Sequence, residues 1–146
     1  MKLVLVCSSG GHFLQLYFLK ELWKDYERIW VTFPGNDTEY FLRGETVFWG
    51  HCPTNRNLVN LFKNAILALQ LLRKERPDAV LSTGAGISVP FIFIAKILRI
   101  KTIYIESLTR INELSLSARL VYGVADHMLV RWPELAARYK KTEHRG

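Results

Sequence analysis

The chain is 146 residues long and 49% hydrophobic, enough apolar material for one real core and too short for two ordinary domains. Lys and Arg outnumber Asp and Glu by 20 to 13, and the net charge of +7 points to an anionic partner: nucleic acid, a phospholipid surface or a phosphorylated substrate. Two cysteines, Cys7 and Cys52, give neither a disulfide framework nor metal-ligand spacing, and no run reaches the roughly 20 apolar residues of a spanning helix.

The first apolar run, Lys2–Cys7, reads as a strand and stops too soon for a signal peptide, which agrees with the cysteine usage in suggesting a reducing cytoplasm. It leads into Ser8, Ser9, Gly10, Gly11 and His12, and then a helical pattern from Phe13 to Lys24. Adjacent glycines let the backbone turn sharply and approach a ligand, and the helix start offers free N–H groups to an anion, a diphosphate being the first guess. His12 is a candidate general base, phosphate partner or polar cap. The Gly-x-Gly-x-x-Gly nicotinamide fingerprint is absent.

Strands are expected at Arg28–Thr32 and Glu45–Trp49. The longest helix pattern runs from Asn55 to Glu75, with Leu58, Leu61, Phe62, Ala65, Ile66, Leu69 and Leu72 on one wide apolar face that packing on a sheet would bury. Pro77 and Asp78 end it before a strand at Ala79–Ser82 and a second glycine turn, Thr83 to Gly86. Val89–Leu98 then reads as a helix apolar nearly all round, expected in the core, followed by strands at Thr102–Glu106 and His127–Val130. Pro133 suits the first turn of a last helix, and the tail from Lys140 to Gly146 is expected to fray.

This alternation specifies an α/β fold, a single doubly wound Rossmann-like parallel sheet, with residues 1–146 forming one domain. A strand order of 3-2-1-4-5 would bring three loops to one crevice: Ser9 to His12 after the first strand, Gly84, Ala85 and Gly86 after the fourth, and Glu106 and Ser107 after the fifth. There Glu106 could order His12, hydrogen-bond a sugar hydroxyl or cap a backbone turn.

The segments SSGGH, RKERPDAVLSTGAGISVP, IYIES and LVRWPEL, in this order, resemble the PssD, EpsE and CpsF polysaccharide-biosynthesis proteins over Met1 to about Tyr139. That family is similar to the membrane-anchoring subunit of the asparagine-linked-glycosylation UDP-GlcNAc transferase and to the N-terminal half of MurG-like glycosyltransferases of the GT-B type. The resemblance implies the acceptor-binding subunit of a bipartite glycosyltransferase that passes a sugar from a nucleotide sugar, UDP-linked, to a polyprenyl-diphosphate-linked saccharide in capsule or exopolysaccharide synthesis. A separate small chain would bind the donor, and no cofactor or metal of the chain's own is expected.

By the same resemblance His12 and Glu106 are the catalytic candidates, and Ser9, Gly10, Gly11, Gly84, Ala85, Gly86 and Ser107 would bind the acceptor diphosphate. The first loop is shorter here than in the single-chain relative. Contact with the cytoplasmic face of the membrane would be peripheral, through Leu58, Phe62, Lys63 and Arg73 with Arg56, Lys74 and Arg76 nearby. Arg131 and Trp132 are candidates for the partner interface, Trp132 being equally suited to plug a core. The rival readings are a non-catalytic scaffold and a self-sufficient nucleotide-binding enzyme. A nucleic-acid module fits least, since the basic residues are spread out and no aromatic platform is evident.

Overall fold

A computed structural model describes residues 1–54 and 57–145. Asn55 and Arg56, where the sequence reading started its long helix and basic flank, lie outside the described residues, as does Gly146. The strands β1 (Lys2–Cys7), β2 (Glu27–Thr32), β3 (Val47–Trp49), β4 (Ala79–Gly84), β5 (Lys101–Ile105), β6 (His127–Val130) and β7 (Thr142–His144) form one parallel sheet ordered β3-β2-β1-β4-β5-β6-β7. The expected order holds and is extended at one edge.

Parallel neighbours need crossovers, and these carry helices on both faces. α1 (Gly11–Phe18), α2 (Lys20–Trp23) and α3 (Asn36–Phe41) lie on one side. There Leu3, Leu5 and Cys7 of β1 meet Phe13, Leu16, Trp23 and Trp30. α4 (Leu58–Glu75), α5 (Ser88–Ile97), α6 (Leu116–Val121) and α7 (Pro133–Arg138) lie on the other, where Val4 and Val6 join Leu71, Leu72, Phe91, Ile92, Val121 and Leu135. β1 is buried on both faces, which is why its sequence is an unbroken apolar run.

Four expectations are corrected. The helix foreseen from Phe13 to Lys24 is two helices meeting at Leu19, whose backbone leaves helical geometry while Trp23 Nε1 donates to the Leu16 carbonyl. The tail does not fray at its centre: Thr142–His144 pairs with Met128–Val130 as β7, and Thr142 is buried. Along α4 the residues turned inward are Asn64, Ala68, Leu71 and Leu72, while Leu58, Val59, Leu61, Phe62, Ile66 and Leu69 stay exposed. Asn64 faces in because its side chain spans His51, accepting from its N–H and donating to its carbonyl. α5 is mixed, with Phe91, Ile92 and Ala95 buried but Phe93 and Ile97 exposed.

Candidate functional site

At the carboxyl ends of β1, β4 and β5, where the chain leaves the middle strands in opposite directions, lies a cavity of about 700 Å³. Ser8, His12, Ala85, Gly86 and Ser107 are on its wall, whereas Ser9, Gly10, Gly11, Gly84 and Glu106 are not. The three predicted loops do converge, but several of their residues support the wall rather than form it.

His12 is held from β4 by two hydrogen bonds across 71 residues. Its Nδ1 lies 2.9 Å from the Thr83 carbonyl, and Thr83 Oγ1 donates to the His12 carbonyl at 2.6 Å. A carbonyl only accepts, so Nδ1 carries the hydrogen, and in the neutral imidazole Nε2 is the nitrogen with the free lone pair. Gly84 makes this seat possible. Its φ is +123°, and a Cβ there would stand 3.0 Å from both His12 Nδ1 and the Tyr104 hydroxyl. Ala85 follows at φ +72°, a left-handed conformation that costs an alanine about 1 kcal/mol, and a Cβ on Gly86 would reach within 2.9 Å of Thr54.

The first glycine turn is already engaged. Gly10 takes φ +84°, and its N–H donates to Asp37 Oδ2 of α3 at 2.8 Å, so the chain's own carboxylate sits where the sequence reading put a diphosphate.

Glu106 also has a task other than ordering His12. Fully buried, it accepts at one oxygen from the Ser107 N–H (2.8 Å) and the Ser115 hydroxyl (3.1 Å), and at the other from the Ser115 N–H (2.7 Å). It thereby closes the loop from Ser107 to Ser115, and Ser115 in turn caps α6 by accepting from the Ala118 N–H. Gln15 Nε2 donates to the Glu106 carbonyl from α1. Trp132 fastens the same loop: it is half-buried and its Nε1 donates to the Leu108 carbonyl at 2.8 Å, with the exposed Arg131 guanidinium 6.0 Å from its ring. Beneath the loop Tyr104 is buried, and burial first, then the Glu106 charge, pushes its phenol well above the ordinary range.

The mouth is apolar on two sides. From α4, Leu58 is 79% and Phe62 68% exposed, with Lys63 and Arg73 exposed on the same helix; from α6, Leu116 is 72% and Leu120 52% exposed. Leu58, Leu61, Leu116 and Leu120 all line the cavity as well. No described helix is long and apolar enough to cross a membrane, and among the described residues no group of three or more His, Cys, Asp or Glu side chains could hold a metal ion.

The α6 lip, Asp37, Thr109 and Arg110 are site features missed in the sequence. Ser115 followed by Leu116 and Leu120 four residues apart is the signal that could have located α6.

The family model described as "Oligosaccharide biosynthesis protein Alg14 like" matches residues 52–146. The chain belongs to this Alg14-like family. A UDP-N-acetylglucosamine transferase subunit ALG14 from Debaryomyces hansenii is 31% identical over 135 residues, aligning 84% of this chain with 56% of the relative. The Yarrowia lipolytica protein of the same name is 26% identical and aligns 99% of this chain with 80% of its own. The chain thus spans little more than half of the first relative's length.

Among solved structures, MurG from Acinetobacter baumannii shares the fold with a TM-score of 0.75 at 15% identity, over 92% of this chain and 43% of that one. The Methanocaldococcus jannaschii UDP-GlcNAc 2-epimerase, solved with UDP-GlcNAc and UDP, gives 0.77 at 13% identity over 100% of this chain and 46% of its own. These identities establish the fold: an α/β, Rossmann-like parallel sheet of the kind found in MurG-like GT-B proteins.

Proposed function

We propose that this Alg14-like chain is the acceptor-side, membrane-associated subunit of a bipartite glycosyltransferase. A separate donor-binding chain presents the nucleotide sugar, UDP-linked, and the acceptor is a polyprenyl-diphosphate-linked saccharide of capsule or exopolysaccharide synthesis at the cytoplasmic face of the membrane. The observation that carries this reading is the seat of His12, whose ring is fixed through Nδ1 by the Thr83 carbonyl on the wall of a cavity with an apolar mouth. In an inverting transfer the acceptor hydroxyl loses its proton as its oxygen attacks the anomeric carbon, and the nucleoside diphosphate leaves with the bonding electron pair. His12 Nε2 would take that proton. Glu106 is a positioning residue that shapes the wall, and Gly84 gives the imidazole its room. The chain needs no cofactor for this step, and the leaving group stays with the partner.

The apolar lips of α4 and α6 suit insertion among lipid tails, and Lys63 and Arg73 suit anionic headgroups, an association without a spanning helix. Transfer of labelled sugar to lipid extract is measured with this chain, its candidate partner chain and the mixture. Activity is expected in the mixture alone and is expected to fall by about 100-fold or more with His12→Ala. Full activity of the variant would reduce the chain to a scaffold, and activity of this chain alone would make it a self-sufficient nucleotide enzyme.

A further inference from the structure

The two walls of the cavity offer different things to an anion. On the glycine side the Gly10 N–H is spent on Asp37, whose other oxygen accepts from the Thr38 N–H. Another anion at that turn would have to displace a carboxylate or sit beside it.

The opposite wall, the loop after β5, carries Ser107, Thr109 and Arg110. Arg110 is the one Lys or Arg among the described residues lining the cavity. Three exposed arginines are neutralised at home, Arg119 and Arg138 by Glu113 and Arg145 by Glu143, while Arg43, Arg73, Arg76, Arg99 and Arg131 are exposed away from the cavity. Among the described residues Arg110 has no ion-pair partner. Its side chain is exposed and stands on the cavity wall.

Beside it Ser107 Oγ and Thr109 Oγ1 share a hydrogen bond of 2.9 Å, which uses one of their two hydroxyl hydrogens and leaves the other for a ligand. The turn is braced by the Arg110 N–H donating to the Ser107 carbonyl and the Thr109 N–H to Ser107 Oγ. Next along the chain come the apolar Leu116 and Leu120.

We infer that the diphosphate of the lipid-linked acceptor is gripped by Arg110 with the Ser107–Thr109 hydroxyl pair, and that the first glycine turn holds the histidine but not the phosphates. This deepens the acceptor-site reading and rests on it. A guanidinium binds phosphate oxygens through paired N–H donors, and the hydroxyl supplies a further hydrogen bond. The prenyl chain then leaves between the apolar lips of α4 and α6, and the saccharide on the far phosphate faces His12.

The test is a binding titration of this chain with farnesyl diphosphate, farnesol and UDP, for the wild type, Arg110→Ala, Arg110→Lys and Asp37→Ala. Arg110 is exposed, so its variants should melt with the wild type. The expected result is a 10- to 100-fold weaker grip on farnesyl diphosphate in R110A, partial retention in R110K, and unchanged farnesol binding, on the order of what charged hydrogen bonds contribute. Undiminished farnesyl diphosphate binding by R110A overturns the assignment, as does a tightening in D37A that does not depend on Arg110, which would return the phosphates to the glycine turn. UDP binding more tightly than farnesyl diphosphate through Arg110 also overturns it, in favour of a nucleotide. Binding needs no transfer, so an Arg110-dependent grip survives a failed reconstitution; reconstituted transfer with an unaltered KM for the acceptor in R110A sinks the inference and leaves the bipartite reading standing.

Discussion

Replacing Glu106 with glutamine (E106Q) keeps the size of the side chain and removes one acceptor. The new amide could keep its carbonyl oxygen toward the Ser107 N–H and the Ser115 hydroxyl, now 2.8 and 3.1 Å from a carboxylate oxygen. Its nitrogen would then face the Ser115 N–H, donor against donor, where the carboxylate accepts at 2.7 Å. One charge-assisted bond is lost, worth about 1.5–3 kcal/mol, the remaining two are weakened, and two buried donors are left opposed. The sum is about 2–4 kcal/mol, or a fall in Tm of roughly 5–15 °C for a chain of this size. Thermal unfolding by circular dichroism reads the total, and amide exchange at Ser107 and Ser115 locates it. A Tm within about 1 °C of wild type, with both amides exchanging at wild-type rates, would refute the claim that Glu106 holds the loop.

Burial pushes the Cys7 thiol up to about 12 against the lowering effect of Thr32, while Cys52 is exposed at the cavity wall; maleimide should therefore modify one cysteine in the native chain and two in denaturant, and two in the native chain would contradict the β1 burial. Leu58→Asp with Phe62→Asp should abolish flotation with anionic vesicles while leaving Tm almost unchanged, since both side chains are exposed; retained flotation would exclude the α4 lip. Burial opposes ionisation of Asp126, but the Thr102 N–H, aided by Lys96, outweighs it and holds the carboxyl below its ordinary range. Its contribution is therefore present above the unfolded carboxyl's pKa of about 4 and lost as pH falls through the lower folded value. The Tm gap between wild type and Asp126→Asn should be constant near neutrality and shrink below about pH 4; a gap independent of pH would refute the role given to the charge.

Strands β1 to β6 are legible in the sequence because each is an apolar run between polar turns, and buried parallel strands have no other way to satisfy both faces. β7 is not, since Thr142, Glu143 and His144 carry no strand pattern and are paired by main-chain bonds to β6. The convergence of the glycine turns with the strand after them followed from chain order, and His12 stands on the cavity wall. Its partner did not follow: a backbone carbonyl, that of Thr83, leaves no mark in a sequence. The sequence left two uses open for the apolar stripe of α4, packing on the sheet or facing a membrane, because periodicity marks an apolar face without saying which neighbour covers it; the small Ala68 with the hydrogen-bonded Asn64 took the inner side and left Leu58 and Phe62 outside.

The hydrogen bonds between His12 and Thr83 make the cavity mechanically lopsided. On one side His12 is riveted to a central strand, so that moving it means disturbing the most protected part of the molecule. On the other, the stretch from Ser107 to Leu114 hangs from Glu106, Trp132 and Arg138 and opens at far lower cost. The loop after β5 can therefore be rebuilt while the seat of His12 is left untouched.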